Sequence, residues 1–372
     1  MRRQLLALLG LVTLAIGSGI PIGPALADAT RDKQWHLDFL KIGDVHQIAA
    51  GSGVTVGVID SGVSNHADLT GSILSGTDFI NKGRDGRSDK TGHGTGMAGL
   101  IAAHGRSGKG ALGIAPEAKI LPVRIFENKP RNAEIGPAIN YAVQHGAKVI
   151  NLSVGGGLDL KTIEAVKAAA EADVVIVASA GNRPQDAGVT APAVLGSIVA
   201  VGAVDRSGKK ADVSVTGPAL DLMAPGEDIV STSNQGGYRT GTGTSASAAI
   251  VSGAAALLRS KYPKMTAEEV VQRLQDTATD KGAPGVDDEY GHGVVDIVAA
   301  LRGEGGSASG TQTSSAPAAP SGPAAPTPGA APGDAPTGDS TPLAAGGVLA
   351  VLVAGLVAVL WVRRRRSSGG AR

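Results

Sequence analysis

The sequence predicts an α/β fold of three layers, with a mostly parallel central sheet and helices on both of its faces. Apolar runs of strand length recur along the chain, and they are nearly continuous rather than alternating, which is typical of strands covered on both faces. These runs are residues 54–59, 120–125, 149–154, 174–178 and 198–204. Helical patterns separate them, and repeated strand–helix–strand units give a parallel sheet.

Two helices are predicted between these strands, at residues 133–145 and 160–172. In the second, Ile163, Val166 and Ala170 recur at helical spacing and the charged residues fall largely on the opposite face, as in a helix packed on a core. Ligands of such folds bind beyond the carboxyl ends of the strands. That edge is therefore where functional residues are expected.

Composition excludes several classes of function. The chain has 372 residues, and 34 Lys and Arg against 33 Asp and Glu leave a net charge of +1, so no general field attracts nucleic acid. It has no cysteine, which rules out disulfides, thiolate metal sites and a cysteine nucleophile. Because aromatic residues are only 2%, the core is expected to consist of Ala, Val, Leu and Ile.

The amino terminus has the pattern of a secretory signal peptide. Arg2 and Arg3 precede an apolar stretch over residues 5–22, and Ala25-Leu26-Ala27 is a small-x-small cleavage motif. We expect residues 1–27 to be a signal peptide cleaved after Ala27. An amino-terminal membrane anchor is the alternative.

The carboxyl-terminal region has the pattern of a membrane anchor. Residues 343–362 are apolar and uncharged, long enough to cross a bilayer as one helix, and four arginines follow at once. The positive-inside rule places the basic tail, residues 363–372, in the cytoplasm and the rest of the chain outside. The expected location is the cell membrane, single-pass, with the globular domain extracellular or periplasmic. A buried core helix is the alternative.

A linker rich in Pro, Ala, Gly and Ser is predicted over residues 303–342, because such a composition buries too little apolar surface to fold. It is expected to hold the globular part away from the membrane, and a segment that binds a partner is the alternative. What remains, residues 28–302, shows no internal break and is read as one domain. Its first part, residues 28–52, is a short extension expected to pack along it.

Three segments carry residues suited to catalysis. A strand ends on Asp60, a helix with small residues in its first turn begins near His93, and a glycine-rich approach leads to Ser245 at the start of an Ala-rich helix. Each alone has an ordinary explanation: an aspartate after a strand is often a cap or turn residue, and a serine before a helix an N-cap. Together they supply a nucleophile, a base that accepts its proton, and a carboxylate that orients the base.

The segments VGVIDSG at residues 56–62, GHGTGMAG at 92–99 and GTSASAAIVSGAAAL at 243–257 resemble the signature segments of subtilisin-like (S8) serine proteases. The resemblance implies a subtilisin-like fold and a catalytic triad of Asp60, His93 and Ser245. It also implies an oxyanion-hole residue, Asn182, at the end of the segment Ala178-Ser179-Ala180-Gly181-Asn182. The second oxyanion donor would be the backbone N–H of Ser245.

The resemblance further implies a cleft for extended polypeptide substrates. Residues 151–157, NLSVGGG, resemble the edge that pairs with substrate backbone in the family, and such an edge favours unfolded or loop substrates. The substrate-binding residues expected on these grounds are Ser153, Val154, Gly155, Ala180 and Gly181. No lipase motif of the G-x-S-x-G type surrounds Ser245, which argues against an esterase.

The whole architecture resembles the mycosins, the subtilases associated with type VII secretion systems. The resemblance implies an endopeptidase of exported proteins and, as partners, membrane components of a secretion complex. A scaffold that stabilises such a complex, with secondary protease activity, is the alternative. No cofactor is expected. Some relatives bind calcium, and Asp85 and Asp89 before His93 could contact a cation, although their loop does not match an EF-hand.

Overall fold

The structure is a computed structural model that describes residues 30–105, 109–128 and 132–303. The predicted signal peptide, transmembrane segment and basic tail lie outside the described residues, as does the predicted linker beyond Gly303. Within the described part of the chain, no helix is both long and apolar enough to cross a membrane.

A seven-stranded sheet forms the centre of the domain, and all of its pairings are parallel. In chain order the strands are β1 (Thr55–Asp60), β2 (Thr77–Asp78), β3 (Lys119–Arg124), β4 (Val149–Leu152), β5 (Val175–Ser179), β6 (Val199–Val204) and β7 (Leu222–Pro225). Their order across the sheet is β2-β3-β1-β4-β5-β6-β7, so that β1 lies between β3 and β4. The predicted mostly parallel sheet is confirmed.

All five predicted strands are present, and β2 and β7 are additional. A separate antiparallel hairpin follows, made of β8 (Ile229–Thr232) and β9 (Tyr238–Gly241). The edge strand β2 has only two residues. It is fixed by a buried ion pair in which Arg124 Nη1 lies 2.8 Å from Asp78 Oδ2.

Helices cover both faces of the sheet. The helices are α1 (Trp35–Phe39), α2 (Ile42–Ile48), α3 (His93–Ala102), α4 (Asn132–Gln144), α5 (Leu160–Glu171), α6 (Thr244–Lys261), α7 (Ala267–Asp276) and α8 (Ile297–Arg302). Apolar residues of α4 and α5 form one core with one face of the sheet, and those of α3 and α6 form a second core with the other face. The three predicted layers are therefore present.

Helix α6 is the central helix of the domain. Its residues are buried almost throughout, and many are alanines, such as Ala248, Ala249 and Ala254–Ala256. Small side chains let a helix lie close to a sheet, and the core reaches native packing density without large aromatic residues. The low aromatic content thus reflects close approach between layers.

The short extension before β1 belongs to the folded domain. Gln34 Nε2 donates to the carbonyl oxygens of Leu112 and Val230, at 3.1 and 3.2 Å, and Trp35 Nε1 donates to that of Glu227 at 3.0 Å. His36 is fully buried, and burial lowers its pKa to about 3, so that it is neutral. The expectation that this extension packs along the domain is confirmed.

Candidate active site

The site begins at the carboxyl end of β1, where Asp60 is the last residue of a buried central strand. Its carboxylate is inaccessible to solvent and accepts hydrogen bonds from the backbone N–H of Ser61 at 2.7 Å and the Ser61 hydroxyl at 3.1 Å. His93 Nδ1 lies 2.8 Å from Asp60 Oδ1 and 3.0 Å from Oδ2. Asp60 and His93 are therefore brought together.

Glycine allows this approach of helix α3 to strand β1. His93 is the first residue of α3, and Gly94 is the next. A Cβ atom on Gly94 would collide with the carbonyl oxygen of Gly62 and would stand 3.0 Å from Asp60 Cβ. The Gly94 N–H donates to the Ser61 hydroxyl at 3.0 Å, so that the turn after β1 also holds the start of the helix.

Asp60 also sets the proton affinity of His93. Burial lowers the pKa of His93, but the charge of Asp60 and its hydrogen bond raise the pKa by more, and the positive charge of Arg239 opposes them weakly. The net result is a pKa above the ordinary 6.5. With Nδ1 held by the carboxylate and the side chain 29% exposed, the imidazole is a base whose Nε2 remains for a reaction partner.

Ser245 lies in the first turn of α6, which begins at Thr244. Its Oγ is 3.5 Å from the carbonyl oxygen of Ser153, and within the described residues no hydrogen bond joins it to His93. His93, Ser245 and Asn182 nevertheless line one cavity of about 160 Å³. Asp60 and His93 are therefore hydrogen-bonded to each other, and the third predicted residue, Ser245, lines the same cavity as His93.

Asn182 is held in one orientation by the start of α6. Its Oδ1 accepts from the backbone N–H of Thr244 at 2.9 Å and contacts the Thr244 hydroxyl at 3.3 Å. The Asn182 backbone N–H donates to Asp186 Oδ2 at 2.7 Å. These contacts leave the Nδ2 amino group, which donates to no residue in the described ranges, on the wall of the cavity.

The five predicted substrate-binding residues lie beside this cavity rather than on its lining. Ser153 is buried, and its hydroxyl donates to the Ser245 carbonyl oxygen at 3.0 Å; Val154 is also buried, and Gly155 is exposed. Gly181 N–H donates to the Thr244 hydroxyl at 3.2 Å. Ala180 is buried, and both of its backbone groups are already bonded, which places it behind the surface.

A highly connected side chain near His93 is that of Asp89, for which the sequence suggests only contact with a cation. Six donor atoms lie 2.7–3.2 Å from its two oxygens, all from the segments around Asp60 and His93. They belong to Ser61, Thr91, Gly92 and Thr95. The sequence feature that points to this role is an acidic residue four positions before His93.

Asp85 and Asp89 do not fit a calcium ion. The oxygens of Asp89 are occupied by the protein's own donors, whereas the Asp85 side chain is 48% exposed and lies 3.5 Å from Arg87 Nε. Across residues 30–105, 109–128 and 132–303, no group of three or more His, Cys, Asp or Glu side chains could hold a metal ion.

Asp89→Asn is expected to destabilise the domain by about 3 kcal/mol, because an amide NH₂ would face N–H donors in a buried site. Unfolding by urea measures the change. Asp85→Asn, the same substitution four residues earlier in an exposed position, is the control and should change the free energy of unfolding by less than about 0.5 kcal/mol. Equal effects of the two substitutions would contradict this role of Asp89.

Comparison with known proteins agrees with the fold. A model of the subtilase family, peptidase S8, matches residues 51–293. The thermostable alkaline protease of Halalkalibacterium halodurans is 36% identical over 265 residues, which cover 70% of this chain and 71% of that protein.

Solved structures of proteases are also similar to this chain. One is of MycP1, a serine protease and an essential component of the type VII (ESX-1) secretion system; it has a TM-score of 0.68, 31% identity, and coverage of 73% of this chain and 89% of that one. Another is of the MycP3 protease from the type VII (ESX-3) secretion system, with a TM-score of 0.65, 36% identity, and coverage of 72% and 87%. The chain therefore belongs to the subtilase family and is a subtilisin-type serine protease.

Proposed function

We propose that this protease is an endopeptidase that cleaves exported polypeptides through an acyl-enzyme, with Asp60, His93 and Ser245 as its catalytic groups. The observation that carries the proposal is the hydrogen bond of 2.8 Å between His93 Nδ1 and Asp60 Oδ1, on a cavity that Ser245 also lines. A histidine held by a buried carboxylate beside a helix-terminal serine is the arrangement that activates a hydroxyl nucleophile.

In the first half of the reaction, Ser245 Oγ forms a bond to the scissile carbonyl carbon while its proton passes to His93 Nε2. Asp60 keeps the Nδ1 proton in place, so that Nε2 carries the lone pair. The Ser245 hydroxyl must turn from the Ser153 carbonyl toward His93 for this step. Such contacts commonly tighten only when substrate is bound.

Negative charge then develops on the carbonyl oxygen, and Asn182 Nδ2 and the Ser245 backbone N–H are its donors in this proposal. The Thr244 backbone fixes Asn182 through Oδ1, which orients the amino group in advance of the reaction. Donors oriented in advance stabilise the developing charge without a cost of reorganisation. The amine leaves with the proton from His93, and water then attacks the ester with His93 again as base.

Asn182→Ala is expected to slow acylation by roughly 10²–10³-fold, a magnitude established on subtilisin, a relative. Rapid mixing with an activated peptide ester, acid quenching and intact-protein mass spectrometry measure the appearance of the acyl group. Asn140→Ala, on the exposed face of α4, is the control and should leave this rate unchanged. Ester hydrolysis without any acylated wild-type protein would contradict the acyl-enzyme.

The location and partners of the protease belong to the same proposal. A signal peptide at residues 1–27 and an anchor at 343–362 would place the domain outside the cell membrane with a cytoplasmic tail. The MycP1 and MycP3 structures come from proteases of type VII secretion systems, and this likeness supports a similar association for this chain. Its substrates would then be exported proteins.

A scaffold for the secretion complex is the second candidate, because MycP1 is described as an essential component of its system. Ser245→Ala in the host organism separates the two. Membrane proteins that co-purify with the variant, together with normal secretion, would favour the scaffold. Intact assembly with unprocessed exported proteins would favour the endopeptidase.

A further inference from the structure

Arg239 lies on the hairpin that borders the cavity, and that hairpin is fixed to the helix of His93. Arg239 in β9 is paired with Ser231 in β8. The Ser231 hydroxyl donates to the carbonyl oxygen of Gly96 at 2.7 Å, and that of Thr232 donates to the carbonyl oxygen of Thr95 at the same distance. The backbone of Arg239 is therefore held in a fixed position relative to His93.

The side chain of Arg239 follows the first turns of α3. Its Cδ stands 3.5 Å from the position that a Cβ would take on Gly96, and its Nη1 stands 3.7 Å from that position on Gly92. It lines the cavity together with His93 and Ser245. Because these glycines have no side chains, the guanidinium can lie along the helix next to the catalytic histidine.

No acceptor within the described ranges satisfies this guanidinium, which makes no hydrogen bond and no ion pair there. The nearby buried carboxylates already have partners. Asp60 accepts from Ser61 and His93, and Asp89 accepts from the four residues named above, of which Ser61 is one. A guanidinium carries five donors in a planar fork that matches a carboxylate. An unpaired arginine on the wall of a catalytic cavity is therefore suited to an anionic group of the substrate.

We propose that Arg239 binds a carboxylate on the leaving segment of the substrate, the part that follows the scissile bond. This inference rests on the proposed function. His93 must protonate the leaving amine, so the leaving segment has to pass over His93. Arg239 lies along the start of the helix that begins at His93. The edge at residues 153–155, expected to pair with extended substrate backbone, shares no part of the lining with Arg239.

This carboxylate has two possible sources, and each predicts a different preference for the site of cleavage. An Asp or Glu side chain would give the endopeptidase a preference for acidic residues shortly after the cut. The α-carboxylate of a short leaving segment would instead favour cleavage near the carboxyl terminus of a substrate. Both place the same chemical group opposite the same guanidinium, and peptides can separate them.

The test uses quenched fluorescent peptides of one sequence, with Glu or Gln at each of three positions after the scissile bond and with a free or amidated carboxyl terminus. The full chain, purified in detergent, is assayed for kcat/KM. A ratio within one enzyme cancels any uniform loss of activity. We expect the wild type to prefer the carboxylate at one position by about 10-fold, the magnitude of a charge-assisted hydrogen bond.

Arg239→Gln should bring this ratio to about 1, and Arg239→Glu should reverse it in favour of Gln at the same position. Lys167→Gln, which removes an exposed positive charge on α5, is the control and should keep the wild-type ratio. Dependence on Glu against Gln identifies a side chain, and dependence on the terminal amide identifies the α-carboxylate. A wild-type ratio below about 2 throughout, or an unchanged ratio in Arg239→Gln, would overturn the proposal.

The carboxylate preference can also be measured without catalysis. Fluorescence anisotropy gives the affinity of Ser245→Ala for the same peptides. A carboxylate preference in binding that Arg239→Gln removes, with no hydrolysis by the wild type, would refute the proposed function and keep the role of Arg239. Hydrolysis by the wild type without any carboxylate preference would support the proposed function and refute the role of Arg239.

Discussion

Replacing Ser245 with alanine is expected to reduce peptide hydrolysis by roughly 10⁶-fold, a magnitude established on subtilisin, and to abolish labelling by a fluorophosphonate probe. The reason is that no other hydroxyl combines a place on the cavity with a position at the start of α6 beside His93 and Asn182 in the described structure. Oxyanion donors and substrate binding remain in the variant, so that a small residual rate is expected. Gel fluorescence after labelling and a peptide assay measure the two effects.

Ser247→Ala is the matched control for this experiment. Ser247 lies two residues further along the same helix, is buried, and donates to the carbonyl oxygens of Ala224 and Pro225 rather than lining the cavity. Labelling should therefore persist in Ser247→Ala. Labelling that persists in Ser245→Ala, or a folded wild type that never takes up the probe, would contradict the assignment of Ser245 as the nucleophile.

The sequence predicted the sheet well where strands are buried on both faces. Five continuous apolar runs became β1 and β3–β6, with ends that differ by at most two residues. Strand β2 carries no such run, because its two residues, Thr77 and Asp78, are held by tertiary contacts. The Arg124–Asp78 ion pair that fixes it joins residues 46 positions apart, which no local pattern reveals.

The site was predictable as far as its residues belong to local motifs. Asp60 ends a strand and Asn182 follows one by three residues, whereas His93 and Ser245 lie in the first turn of a helix. Parallel strands bring such positions to one edge. The sequence did not show which hydrogen bonds the side chains make. Six donor atoms surround the Asp89 carboxylate, and the Ser245 hydroxyl faces the carbonyl oxygen of Ser153.

Arg239 was missed for a different reason. It lies on β9, whose exposed and half-buried residues alternate over only four positions, and the sequence gives no sign that the hairpin of β8 and β9 packs on α3. The contacts of Ser231 and Thr232 with α3 span 135 and 137 positions of the chain. Specificity in this cavity thus depends on a long-range contact, whereas its chemistry depends on local motifs.

Asp60→Asn is expected to lower kcat/KM by about 10⁴-fold, the loss known for the same change in a serine protease triad. An amide next to Nδ1 no longer selects the tautomer with a lone pair on Nε2, so that the imidazole is a poor base. Asp60 is fully buried at the end of β1.

The pH profile distinguishes this role from a loss of folding. The Asp60 charge raises the pKa of His93 above 6.5, so in the wild type kcat/KM falls as the pH decreases through that raised value, where His93 gains a proton. Removing the charge lowers the pKa of His93, and the acid limb of the residual activity should move to lower pH. Asp296→Asn keeps an N-cap on α8 and should leave the limb where it is. An acid limb that stays in place in Asp60→Asn would mean that another group controls the protonation of the base.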